Sequence, residues 1–203
     1  MKEKEYSKEI ARAIEEFLID DDWHFRYDED KGIFRFDVRL KGKITSLNYV
    51  VDVKEDEYLV YAFPPISTDP EDGQVMATMA EFVCRASYGL INGNFELDFR
   101  DGELRYKSFV DCDDGAIPTR RIIRNSIYCP AMMFERYIPG ILAVLFSGAS
   151  AKEAVESCER GSGSILKALA DDPLDDEAEG SDGDIMTDLF GKGTDGTSGA
   201  GTL

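Results

Sequence analysis

One imidazole and four thiols are the side chains best suited to proton-transfer, redox or soft-metal chemistry in this chain: His24, Cys84, Cys112, Cys129 and Cys158. The thiols stand far apart and form no CxxC pair, so they do not read as a zinc or dithiol site. His24 lies between Trp23 and Phe25, where strand alternation predicts a partly exposed sheet residue. One histidine supports no convincing Ser/His/Asp or Cys/His arrangement. No nucleophile elbow, Walker loop, GxGxxG or HExxH accompanies it. Carboxylates are abundant, but abundance alone brings pairs together. Asp111, Asp113 and Asp114 before Gly115 resemble part of a calcium loop that lacks its fifth-position ligand and its bidentate glutamate, and they read as a solvated loop. Asp20, Asp21 and Asp22 close a helix, a poor place for anions, and read as surface charge. The residues thus predict no catalytic residue, no cofactor and no metal.

Two apolar stretches suggest binding instead. Residues 131–146 (AMMFERYIPGILAVLF) are apolar on nearly every side of a helix. Met132, Met133, Tyr137 and Ile141 are therefore candidates either for the core or for a surface held against a partner or a second subunit. In the polar C-terminal stretch, Ile185, Met186, Leu189 and Phe190 fall at i, i+1, i+4 and i+5. They could fold as one apolar stripe into a groove, or fold back on the domain.

The elements that would position these residues follow from periodicity. A helix is predicted over 5–20 from Ile10, Ile14, Phe17 and Leu18, and strands over 23–28, 34–40, 44–53 and 58–63. Asp69 as N-cap and Pro70 open a second helix, in which Val75, Met79, Phe82, Val83, Ala86 and Leu90 share a face. The stretch Asn92–Ser108 reads as a hairpin turning at Asp101-Gly102. Arg100 would face Glu103, Asp98 Arg105 and Glu96 Lys107 on one face, with Phe99 opposite Leu104 and Leu97 opposite Tyr106 on the other. A turn at Lys41-Gly42 likewise sets Phe36 opposite Leu47 and Phe34 opposite Tyr49. A long helix over 119–146 should break near Pro130 and kink near Pro139, and Ser150 with Glu153 caps a last helix over 150–160. Residues 165–170 could add one further turn. The order is α-β-β-β-(β)-α-β-β-α-α, an α+β fold with an antiparallel sheet covered by helices on one side.

Net charge is −18. Ten acidic residues against Lys192 give residues 171–203 a net of −9, and the preceding 170 residues supply the other −9. That balance argues against nucleic acid and anionic lipid as partners and favours basic ones, or solubility alone. Free thiols, an acidic amphipathic N-terminal helix and the lack of an 18-residue apolar run predict a cytoplasmic protein. One domain over 1–170 is expected, then an acidic Gly/Ser/Thr-rich disordered tail over 171–203. Deleting 171–203 should leave the melting temperature nearly unchanged. A fall of more than a few degrees in a thermal melt would mean that the Ile185–Phe190 stretch docks on the domain.

Asn92, Gly93, Phe95, Leu97 and Gly102, with Gly148 and Ser150-Ala151-Lys152-Glu153-Ala154 downstream, resemble the pattern of the YbjN family of bacterial proteins, often labelled sensory transduction regulators. The resemblance covers about Ser7–Glu159, and Ala151 stands where the family's gly-x-ser-pro-glu-glu-ala ending has proline. It implies a fold similar to type III secretion chaperones, which are small, acidic, commonly dimeric and bind extended client segments. It brings no catalytic residues. The expectation is a non-enzymatic protein-binding regulator or chaperone-like adaptor that holds a partner polypeptide, with a homodimer as a further expectation. The alternatives are a carboxylate-based small-ligand or metal sensor and a purely structural homodimer.

Overall fold

Alternating apolar residues build the sheet and a 3.6-residue period builds its cover. The computed structural model describes residues 5–160. Helix α1 (Lys8–Asp20) is followed by β1 (Phe25–Asp28), β2 (Ile33–Arg39), β3 (Ser46–Val53) and β4 (Glu57–Phe63). Then come α2 (Gly73–Ser87), β5 (Asn94–Leu97), β6 (Leu104–Asp111), α3 (Arg120–Ser147) and α4 (Ala151–Glu159). The six strands form one antiparallel sheet in the order β1-β2-β3-β4-β6-β5. This is the α+β order read from the sequence, with β4 a full member of the sheet. The tail 171–203, the possible turn at 165–170 and Ile185, Met186, Leu189 and Phe190 lie outside the described residues.

Phe34, Phe36, Val38, Leu47, Tyr49, Val51, Tyr58, Val60 and Tyr106 point to one face and are buried against the helices. α3 crosses that face over β4 and β6. By length and a mean hydropathy of 1.3 it could cross a membrane, yet it is the central core helix here, with 56% of that window buried. It runs unbroken through Pro130, where a break was expected, and on through Pro139. An interior proline costs about 3 kcal/mol. Burial of Ile123, Ile127, Met133, Phe134, Ile138 and Ile141, at about 1.5–3 kcal/mol each, outweighs both. In the core the Tyr58 and Ser126 hydroxyls lie 3.0 Å apart, and Ser126 donates to the Ile123 carbonyl at 2.8 Å.

Gly140 marks where α2, α3 and α4 meet. A Cβ there would lie 2.7 Å from the Phe82 ring, 2.8 Å from Cys158 Sγ and 3.0 Å from the Ala154 carbonyl. Gly140→Ala should destabilise by about 1–3 kcal/mol in urea unfolding, the cost of overpacking a filled core.

Both hairpin registers differ from the expected ones by two residues. Phe36 pairs with Tyr49 and Val38 with Leu47, while Phe95 pairs with Tyr106 and Leu97 with Leu104. A shift of two keeps the strand side chains on their expected faces, but Leu97 now takes the place opposite Leu104 that was expected of Phe99, which lies in the loop and is 63% exposed. Longer loops are held from outside instead. The Glu135 carboxylate accepts the Lys41 amide at 2.7 Å and the Gly42 amide at 3.3 Å. In the 98–103 loop the Gly102 amide donates to the Asp98 carbonyl at 2.8 Å, and the Thr68 amide donates to the Gly102 carbonyl at 2.9 Å. Helix α2 also starts later than expected. Asp72, not Asp69, accepts the Gln74 and Val75 amides at 3.1 and 3.0 Å.

Candidate functional site: the open face of the sheet

Among the described residues, the second face of the sheet carries no helix. Its centre is apolar: Val50 on β3, Leu59, Tyr61 and Phe63 on β4, and Phe109 on β6, with Val50 directly opposite Tyr61 and Leu59 opposite Phe109. Phe109 is 51% exposed, and the other four are half-buried. The signal lies in EYLVYAF (57–63), which is apolar at both alternating sets. Tyr58, Val60 and Ala62 fill the core, while Leu59, Tyr61 and Phe63 face out.

Charge around the stripe is balanced. Asp28, Asp37, Asp52, Glu57, Glu96 and Asp111 share the face with Arg26, Arg35, Arg39, Lys54, Arg105 and Lys107. Residues 1–160 hold 31 acidic and 21 basic side chains, a net of −10, so that excess sits on the other surfaces. At the β6 margin Glu96 accepts Arg105 at 2.7 Å and also pairs with Lys107, while the Arg105 guanidinium lies 4.8 Å from the Tyr61 ring centre. Burial pushes the Glu96 carboxyl up, but the Lys107 and Arg105 hydrogen bonds outweigh it and hold it below its ordinary value. Asp98 does not meet Arg105. Its side chain holds Arg100 within its own loop, and that bond lowers its pKa from 3.8 to about 2.

A carboxyl whose folded pKa is depressed stabilises the fold above its unfolded pKa, and the contribution drains as pH falls through the folded value. Asp28, Glu96 and Glu153 are lowered as well. The melting temperature should therefore fall between about pH 4.5 and 2. Asp98→Asn should flatten the lower part of that slope in a pH series of thermal melts.

Beside the sheet edge, Ala80, Val83 and Cys84 of α2 and residues 95–100 of β5 and its loop enclose an open cleft of about 650 Å³. It is not a free strand edge. The Phe95 amide donates to Ser87 Oγ at 3.0 Å, and Ser87 donates back to the Phe95 carbonyl at 3.3 Å, so α2 closes that edge. The thiols offer little nucleophile: burial pushes Cys112, Cys129 and Cys158 up. Cys84 is exposed, because the face of α2 turned to the core is that of Met76, Met79, Phe82 and Ala86. His24 is exposed just ahead of β1 rather than within a strand. Among the described residues no three His, Cys, Asp or Glu side chains are placed to hold a metal.

The four helix candidates are brought together, but in the core. Met132 and Met133 are 4% exposed, Tyr137 and Ile141 1%. Tyr137 packs its ring edge-on against Phe95 at 5.5 Å and donates its hydroxyl to Glu159 at 2.9 Å. Their apolar area is spent within the chain, so in this fold they do not form a partner surface. No protein-family model, curated protein or solved structure matches the chain.

Proposed function

We propose that this protein is a non-enzymatic polypeptide-binding module, a regulator or chaperone-like adaptor, and that the open sheet face is its binding surface. The observation that carries the reading is the charge-balanced aromatic stripe of Leu59, Tyr61, Phe63 and Phe109 on an otherwise strongly acidic chain. Interfaces are enriched in aromatics and arginine and depleted of unpaired charge at their centre. Tyr61 beneath Arg105 is the kind of residue on which binding energy concentrates. The resemblance to the YbjN family supports the same reading, and the free thiols are compatible with a cytoplasmic setting.

The test is quantitative capture from lysate at near-physiological salt, with wild-type protein, a Phe109→Ser variant and an α1 surface control, Glu16→Lys. Phe109 is half out of the fold, so the variant should melt within a few degrees of wild type. A polypeptide held by wild type and control should bind the Phe109 variant about ten-fold or more weakly. Equal capture by all three, or none, would remove the reading. The rival is a small-ligand sensor using the α2–β5 cleft. A metabolite screen that raises the melting temperature by several degrees, abolished by filling the cleft with Ala80→Phe, would favour it.

A further inference from the structure

The two edges of the sheet are treated differently, and that difference points to a second copy of the chain. At β5 the Ser87 side chain occupies the outward amide and carbonyl of Phe95. At β1 the outward groups can be identified from the ladder. The Gly32 carbonyl accepts the Val53 amide at 2.9 Å, so even-numbered residues of β2 bond to β3 and odd-numbered ones to β1. Arg35 and Ile33 thus exchange bonds with Arg26 and Asp28, and Phe25 and Tyr27 direct their amides and carbonyls away from the sheet. Natural proteins normally blunt such an edge.

Charge on this edge is self-complementary. Arg26 is exposed and stands directly opposite Arg35 within the sheet, an unfavourable pairing. Asp28 lies two positions along on the same face, held by Lys31 at 2.8 Å. In antiparallel pairing of β1 with its own copy, a two-fold axis through Tyr27 makes Tyr27–Tyr27 the hydrogen-bonded pair. Each Arg26 then falls opposite the partner's Asp28, at a non-hydrogen-bonded position where side chains approach most closely. An axis at Arg26 would oppose the two guanidinium groups, and one at Phe25 would set each Arg26 against the partner's His24. Only the Tyr27 register matches opposite charges.

We propose that the free β1 edge joins β1 of a second copy about a two-fold axis at Tyr27, extending the sheet across both subunits. The interface is short, so the dimer belongs to the weak class. Sedimentation equilibrium of the full chain should show the mass rising from 22.7 kDa towards twice that value as concentration climbs through roughly the micromolar range. Arg26→Asp alone and Asp28→Arg alone should each weaken the dimer about ten-fold or more, since both copies of the pair become repulsive. The double exchange Arg26→Asp with Asp28→Arg should restore it. Hydrogen exchange gives an independent readout: the outward Tyr27 amide should become more protected as wild-type concentration rises. A mass constant at 22.7 kDa would overturn the proposal and leave the edge to another kind of chain. So would single variants that associate as wild type does, or a double exchange that fails to restore association.

Discussion

Phe95→Ala should be the most damaging single truncation in this fold, costing about 3–5 kcal/mol. The ring stands at the meeting point of three others, with Tyr106 at 5.0 Å, Phe134 at 5.3 Å and Tyr137 at 5.5 Å, all near edge-on. Those partners come from β6 and from two turns of α3, so no single side chain can move in to close the void. The backbone at Phe95 is fixed as well, through both of its bonds to Ser87. For a domain of this size each kcal/mol lowers the melting temperature by about 2–4 °C, so a fall of roughly 6–20 °C is expected in a thermal melt. Phe95→Leu should cost clearly less, because it keeps most of the volume. A loss under about 1 kcal/mol for the alanine variant would show that the hairpin does not anchor the helix layer as described.

Gly102→Ala should cost nearly as much, for a different reason. Gly102 has φ of 74°, and a Cβ there would lie 1.8 Å from the Thr68 carbonyl oxygen. The left-handed backbone alone costs a non-glycine residue about 1–2 kcal/mol. The clash is with backbone that is itself bonded back to Gly102 at 2.9 Å, and forcing it apart adds about 1–3 kcal/mol or more. Gly89 separates the two effects. Its φ is 86°, but nothing lies within 4 Å of its Cβ position, so Gly89→Ala should show the backbone cost alone. Gly102→Asn should resemble Gly102→Ala, because asparagine tolerates the conformation but not the contact. Urea unfolding of the three variants would decide. Equal losses for Gly89→Ala and Gly102→Ala would mean that Thr68 yields at little cost.

The same glycine shows what the sequence could and could not disclose. Asp101-Gly102 announces a turn, and the alternating residues place the side chains of β5 and β6 on their observed faces, while Phe99 falls in the loop. The register depends on how many residues the turn consumes. Thr68, more than thirty positions away, decides that by bonding to Gly102. Glu135 does the same for Lys41 and Gly42 across 94 and 93 positions. Local turn chemistry carries no trace of either partner. Pro130 fails as a helix breaker for a similar reason, since the burial that outweighs it is tertiary. Of the two caps expected, Ser150 accepts the Glu153 amide at the start of α4, whereas Asp69 gives way to Asp72.

The candidate site was legible in part. EYLVYAF shows a strand apolar on both faces, and its outward half is the centre of the open stripe. Phe109 joins that stripe only because β6 lies beside β4, a non-sequential neighbour that periodicity cannot assign. Met132, Met133, Tyr137 and Ile141 misled as candidates because a helix apolar on all sides looks the same whether two layers of one chain or two chains enclose it. Here Phe95 and Phe82 cover Tyr137, and Met132, Met133 and Ile141 are buried within the same chain.

The most direct test of the open face as the binding surface is an amide and side-chain chemical-shift map of the isotope-labelled protein, titrated with a partner polypeptide obtained by capture. The account predicts the largest perturbations at Val50, Leu59, Tyr61, Phe63, Arg105 and Phe109, with the solvent sides of α1 and α4 unchanged. Perturbations centred instead on Ala80, Cys84 and Leu97 in the α2–β5 cleft, or on the helix layer, would contradict it.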